Sequence, residues 1–192
     1  MYDPPKILKR SDIEYKSVDS FSLKLDIYNR QDLGSPAPAI VFVHGGGWAW
    51  GERTDFHPYV IHCADLGFIC VDISYRLSHI APFPAPIQDV VSSVNYLSNN
   101  ADKYGIIPDQ ICLFGMSAGA HLSLMCGYSG DKFFSCDNKG TPSVQSAIGC
   151  VIALCPLTDL TDPAIYGLDF TKMFFGQNSY QQAPQQYKHA SP

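Results

Sequence analysis

The sequence predicts an α/β fold: a doubly wound, mostly parallel sheet opened by two antiparallel strands. Three observations carry this. Apolar runs recur at residues 39–43, 67–73, 111–114 and 151–155, the signature of strands covered on both faces. Stretches of helical period fall between those runs. Residues 21–28 instead alternate, as a strand with one solvated face does.

Taken in order, residues 13–18 and 21–28 are the two antiparallel strands. A Gly/Pro/Ser-bearing connector over 31–38 precedes the first parallel strand, 39–43, which ends in glycines. A helix over 54–66 stops at Gly67 and feeds strand 67–73. A second helix over 86–104 carries Ile87, Val90, Val91, Val94 and Leu97 on one stripe, with Pro86 near its start and Gly105 at its end. Strand 111–114 runs into a third helix that opens at Ser117, and strand 151–155 follows. Residues 177–192 hold five glutamines and read as a polar surface tail. The 192 residues therefore form one domain, 1–192, with a core portion over 13–176.

Composition narrows the function classes. Thirteen basic residues stand against 18 acidic ones, a net charge of −5, so no nucleic-acid footprint is expected. No apolar run reaches the roughly 18 residues of a membrane span. The start lacks the charged-then-apolar plan of a signal peptide, and a cytoplasmic location is expected. Seven cysteines, an odd count lying mostly in apolar stretches, read as buried free thiols of a reducing compartment. No C-x-x-C pair occurs, and neither a metal site nor a cofactor is expected.

Two motifs carry chemistry. Gly115-Met116-Ser117-Ala118-Gly119 is G-x-S-x-G between an apolar run and a helical stretch. That turn holds a serine in a strained conformation with its hydroxyl above the sheet, so Ser117 is the candidate nucleophile. His44-Gly45-Gly46-Gly47-Trp48 follows strand 39–43. Glycines there leave amide N–H groups bare of side chains, and bare amides aimed at one point stabilise a developing oxyanion. The Ala118 amide, just after the nucleophile, is the further donor.

On these residues the chain resembles the α/β-hydrolase family, and within it the H-G-G-G carboxylesterases of hormone-sensitive-lipase-like and feruloyl-esterase-like type. Gly51, Tyr75-Arg76-Leu77, Phe83-Pro84-Ala85-Pro86 with Asp89, His121-Leu122 and Pro156-Leu157-Thr158-Asp159-Leu160 also match. The resemblance implies an α/β-hydrolase fold, Ser117 as nucleophile, and an oxyanion hole of the Gly45, Gly46 and Ala118 amides. It implies that Arg76 and Asp89 are a buried structural pair. Gly47 and Trp48 would border the substrate, and Trp48, Trp50, Phe83 and the aromatic cluster at 170–175 are candidates for an apolar acyl pocket.

The family places a catalytic acid and then a histidine after further strands. By that resemblance both, and the last two strands, would follow residue 192. Within the chain, His121 is expected to be a packed or capping residue, His189 is the best stand-in base, Asp159 is expected to cap a helix, and Asp72 is not placed as an acid. Strand 151–155 would be an open, apolar sheet edge, through which the chain is expected to self-associate. The reading that follows is a serine carboxylic ester hydrolase of small or short-acyl esters, its portion here weakly active or inactive. The alternatives are a non-catalytic ligand- or partner-binding protein on the same scaffold, or an amidase such as an arylformamidase.

Overall fold

The structure, a computed structural model, describes residues 6–34, 36–133 and 144–192. Strands β1 (Ile7–Val18) and β2 (Phe21–Arg30) pair antiparallel. β3 (Ala37–Val43) leads through a 3-10 turn, Arg53–Phe56, into α1 (His57–Asp65) and β4 (Ile69–Ile73). Next come α2 (Ala85–Asn99), α3 (Ala101–Tyr104), β5 (Ile106–Met116) and α4 (Ala118–Phe133). α5 (Val144–Ala147), β6 (Ile148–Leu154), α6 (Pro163–Tyr166), α7 (Asp169–Phe174) and α8 (Pro184–His189) complete the chain.

Among the described residues the six strands run in the order β1-β2-β4-β3-β5-β6. β2 meets β4 antiparallel, whereas β4, β3, β5 and β6 are mutually parallel. The expected doubly wound sheet with antiparallel opening strands is therefore what forms. One face buries Leu25, Ile27, Val41, Val71 and Leu113 against Val90, Val94, Leu97, Leu122 and Met125 of α2 and α4. The other buries Tyr28, Ile40, Phe42 and Cys70 against Val60 and Ala64 of α1.

Several boundaries differ from expectation for local reasons. β5 begins at Ile106 because Ile106 pairs with Ala37 despite the polar residues that follow it. The helix expected over 86–104 breaks at Asn100, whose backbone leaves the helical region and whose side-chain amide donates to the Tyr96 carbonyl at 2.8 Å. The third helix starts at Ala118, since the backbone of Ser117 is not helical.

The polar tail is a larger correction. Tyr187 and Ala190 are fully buried. The Tyr187 ring stacks on Phe175 at 3.8 Å and its hydroxyl donates to the Asn178 carbonyl. The five glutamines face solvent, Gln185 and Gln186 on α8 and the others before it, while two apolar residues anchor the segment. The cysteine expectation also changes: of the six described, only Cys70 and Cys126 are buried, and Cys150 and Cys155 are exposed. Cys136 lies outside the described residues. Among the described residues β6 is the expected open edge, with Cys150, Ile152 and Leu154 exposed.

Candidate active site

Ser117 joins β5 to α4 with a φ of 54°. That region is disfavoured for any residue bearing a Cβ, at a cost of about 1–3 kcal/mol. The surroundings hold it there. The Ser117 N–H donates to the Leu154 carbonyl at the end of β6 at 2.8 Å, and the Ser117 carbonyl accepts from the His121 N–H at 3.0 Å, starting α4. Gly119 makes the crossing possible, because a Cβ there would lie 2.0 Å from the Val43 carbonyl oxygen and 2.5 Å from that of His44.

This crossing brings the loop after β3 against the elbow. The Cβ position of Gly45 lies 3.6 Å from the Ser117 Cβ. Gly46, at φ 101°, closes the turn, its carbonyl accepting from the amides of Ala49 and Trp50 at 3.1 and 3.0 Å. The Tyr75 hydroxyl donates to the His44 carbonyl at 2.9 Å, and the two rings stack at 4.2 Å. Ala118 is buried at the first position of α4, where the helix dipole favours negative charge. Ser117, Gly45, Gly46 and Ala118 thus meet at one corner, above the carboxyl ends of β3 and β5.

Trp48 does not border that corner. It is fully buried, stacked on Phe174 at 4.3 Å, because the positive φ at Gly47 and at Trp48 itself turns the indole down into the core. Phe174 and Phe175 are buried with it, whereas Phe170 is half-buried against Gly47 and Trp50 is 60% exposed. Of the aromatic candidates, Phe170 lies against the glycine loop, Phe83 is half-buried against Phe174 and Phe175, and Trp50 is exposed.

The histidines separate by their partners. The Trp48 indole N–H donates to Nδ1 of His121 at 3.2 Å, so His121 carries its proton on Nε2 and donates it to the Ala190 carbonyl at 2.6 Å. Complete burial drives its pKa down to about 4. With both nitrogens engaged, His121 is a packing residue, as expected. Burial also lowers the pKa of His44, whose Nδ1 lies 2.9 Å from the Gly45 carbonyl. His189 is exposed beside Ser129 and Lys132, near the far end of α4. Ser129 is twelve residues on from Ser117, about 18 Å along a helix. His189 is not brought to Ser117.

The carboxylates are structural. Arg76 clamps Asp89 through Nε at 2.8 Å and Nη2 at 2.9 Å, its own amide adds a bond at 3.0 Å, and Lys16 reaches the same carboxylate at 2.6 Å. This is the buried pair that the resemblance implied. Asp159 binds Thr161 in its own turn, and Asp162 caps α6 instead, accepting from the Ala164 N–H at 2.8 Å. The Trp48–His121–Ala190 chain and the Leu154 support of the elbow were not legible beforehand, since each joins residues far apart in sequence.

A strained serine elbow beside a glycine loop, on a mixed sheet with this strand order, defines the α/β-hydrolase class. The BD-FAE family matches residues 25–192, and the chain belongs to that family. It is 34% identical over 191 residues to esterase LipQ of Mycobacterium tuberculosis, covering 95% of this chain and 44% of that protein. It is 35% identical over 153 residues to the probable carboxylic ester hydrolase LipM of the same organism, covering 78% of this chain and 32% of that one. Among solved structures it is similar to Est2, a thermophilic esterase of Thermogutta terrifontis, with TM-score 0.76 and 25% identity. That likeness covers 98% of this chain and 65% of the other. The chain thus spans less than half the length of these curated relatives. No described helix is long and apolar enough to cross a membrane.

Proposed function

We propose that this chain is the nucleophile-bearing portion of a serine carboxylic ester hydrolase acting on small or short-acyl esters. The observation that carries the reading is Ser117 at φ 54° with the Gly45 loop packed against it. The Ser117 hydroxyl attacks the ester carbonyl, the amides of Gly45, Gly46 and Ala118 hold the oxyanion, the alcohol leaves, and water releases the acid from the acyl-enzyme. Half-buried Phe170 against Gly47 supports a short acyl group, because it fills space next to the oxyanion loop.

His121 and His44 are engaged elsewhere, which supports a base supplied from outside these residues. A serine without a base is a weak nucleophile, and an oxyanion hole with binding alone gives about 10³–10⁴-fold over water. The open edge of β6 favours self-association as well, read by size-exclusion chromatography with light scattering across concentration.

The test is p-nitrophenyl acetate hydrolysis together with labelling by an alkyl fluorophosphonate, for this chain and Ser117→Ala, with circular dichroism on both. The expected result is slow phosphonylation mapped to Ser117, absent in the variant, with little turnover. Label on another residue of a folded chain would overturn the nucleophile. Rapid Ser117-dependent turnover would overturn the external base.

A further inference from the structure

Cysteine chemistry sits away from the elbow, on the opposite face of the sheet. Cys112 of β5 and Cys150 of β6 are register partners in a parallel pair, so their side chains project from the same face. The register slips just before them, where Gly149 is the extra residue between the Ile111–Ile148 and Cys112–Cys150 pairs. Neighbouring strands lie about 4.8 Å apart, within the Cα separation that a disulfide spans. Cys112 is half-buried and Cys150 is exposed. Both line an apolar groove of about 310 Å³ with Ile40, Phe68 and Ile152.

We propose that Cys112 and Cys150 are a dithiol pair that a hydroperoxide converts to a disulfide, cross-linking the edge strand β6 to β5. The exposed Cys150 sulfur, as thiolate, attacks the outer peroxide oxygen. An S–O bond forms, the O–O bond breaks, and the alcohol (water, from hydrogen peroxide) leaves with a proton. Cys112 then attacks the sulfenic sulfur of Cys150. The S–S bond forms, the S–O bond breaks, and hydroxide leaves with the Cys112 proton as water. Two thiols lose two electrons in all, and one hydroperoxide gains them.

The division of roles follows from environment. Burial, with the adjacent Cys150, pushes the Cys112 thiol up to about 12, so the exposed Cys150 meets the peroxide first and Cys112, beside it in register, gives up its proton as it attacks the sulfenic sulfur. The remaining thiols are differently placed. Cys126 is buried, Cys70 is buried on β4, Cys63 is half-buried on α1, and Cys155 is exposed just past the end of β6, outside the register that pairs Cys112 with Cys150. The cross-link has a structural consequence that rests on the function proposed above: β6 ends at Leu154, whose carbonyl holds the Ser117 amide, so tying β6 to β5 also steadies the elbow. The cross-link itself does not depend on that reading.

The test treats the folded chain with excess hydrogen peroxide, blocks remaining thiols, and maps cysteines by mass spectrometry. The expected result is an intact mass lower by about 2 Da, reversed by dithiothreitol, with a Cys112–Cys150 linked peptide. Cys150→Ser and, independently, Cys112→Ser should abolish that peptide, with circular dichroism establishing that each variant is folded. Amide exchange in β6 should slow about tenfold on oxidation. Overoxidation of Cys150 without a linked peptide would overturn the proposal. So would a linkage confined to Cys63–Cys70 or to two chains. None of these readouts requires esterase activity.

Discussion

Replacing Asp72 by asparagine should change how stability depends on pH. Asp72 lies inside β4, opposite Asp26 of β2, and is fully buried. Neither carboxylate oxygen has a hydrogen-bond partner among the described residues. Burial first, and then the charge of Asp26, push its pKa from 3.8 up to about 7. Burial raises Asp26 too, but the Asp12 amide, Lys9 and Arg53 overcome it and hold that carboxyl below its ordinary value. Asp26 therefore stays charged, whereas Asp72 keeps its proton up to about pH 7.

The sign follows from proton counts. Between the unfolded value of 3.8 and the folded value of about 7, the folded chain holds the extra proton. Stability therefore falls as pH rises through that window. At about 1.4 kcal/mol per unit, the full window amounts to about 4 kcal/mol, of which about 3 kcal/mol falls between roughly pH 5 and pH 8. Asparagine is neutral throughout and carries none of this term. Urea unfolding of wild type and Asp72→Asn at both pH values isolates it, because other titrating groups cancel in the difference. The variant should gain about 3 kcal/mol on wild type between roughly pH 5 and pH 8. A difference that stays constant with pH would refute the reasoning, since Asp72 would then be ionised in the fold.

Two other substitutions test the scaffold of the site. Gly119→Ala should cost several kcal/mol or prevent folding, because the added methyl meets the Val43 and His44 carbonyls, which are backbone and cannot move aside; a thermal melt by circular dichroism close to that of wild type would refute the close crossing. Trp48→Phe should cost about 1–3 kcal/mol in urea unfolding, since it leaves Nδ1 of the buried His121 without its donor. A cost below about 0.5 kcal/mol would deny that hydrogen bond a structural role.

Much of the site was legible in the residues because its information is local. A strand, a sharp turn and a helix share the dozen residues around Ser117, and the glycines of the loop packed against it directly follow β3. The apolar runs likewise announced a parallel sheet, since covering both faces leaves no room for alternation. Composition misled where two residues outweigh a segment. The glutamines of the tail concealed Tyr187 and Ala190, which seat it in the core.

The sequence by itself determined the fold class, the serine elbow at residue 117 and the order of the strands along the chain. Only the tertiary structure decided which aromatic residues face the site, that Trp48 belongs to the core, and that both nitrogens of His121 are engaged by residues 48 and 190. It alone set Cys112 beside Cys150 and Asp72 beside Asp26. The physical reason is range. Periodicity and turn chemistry are written in neighbours along the chain, whereas burial and pairing depend on contacts between residues tens of positions apart.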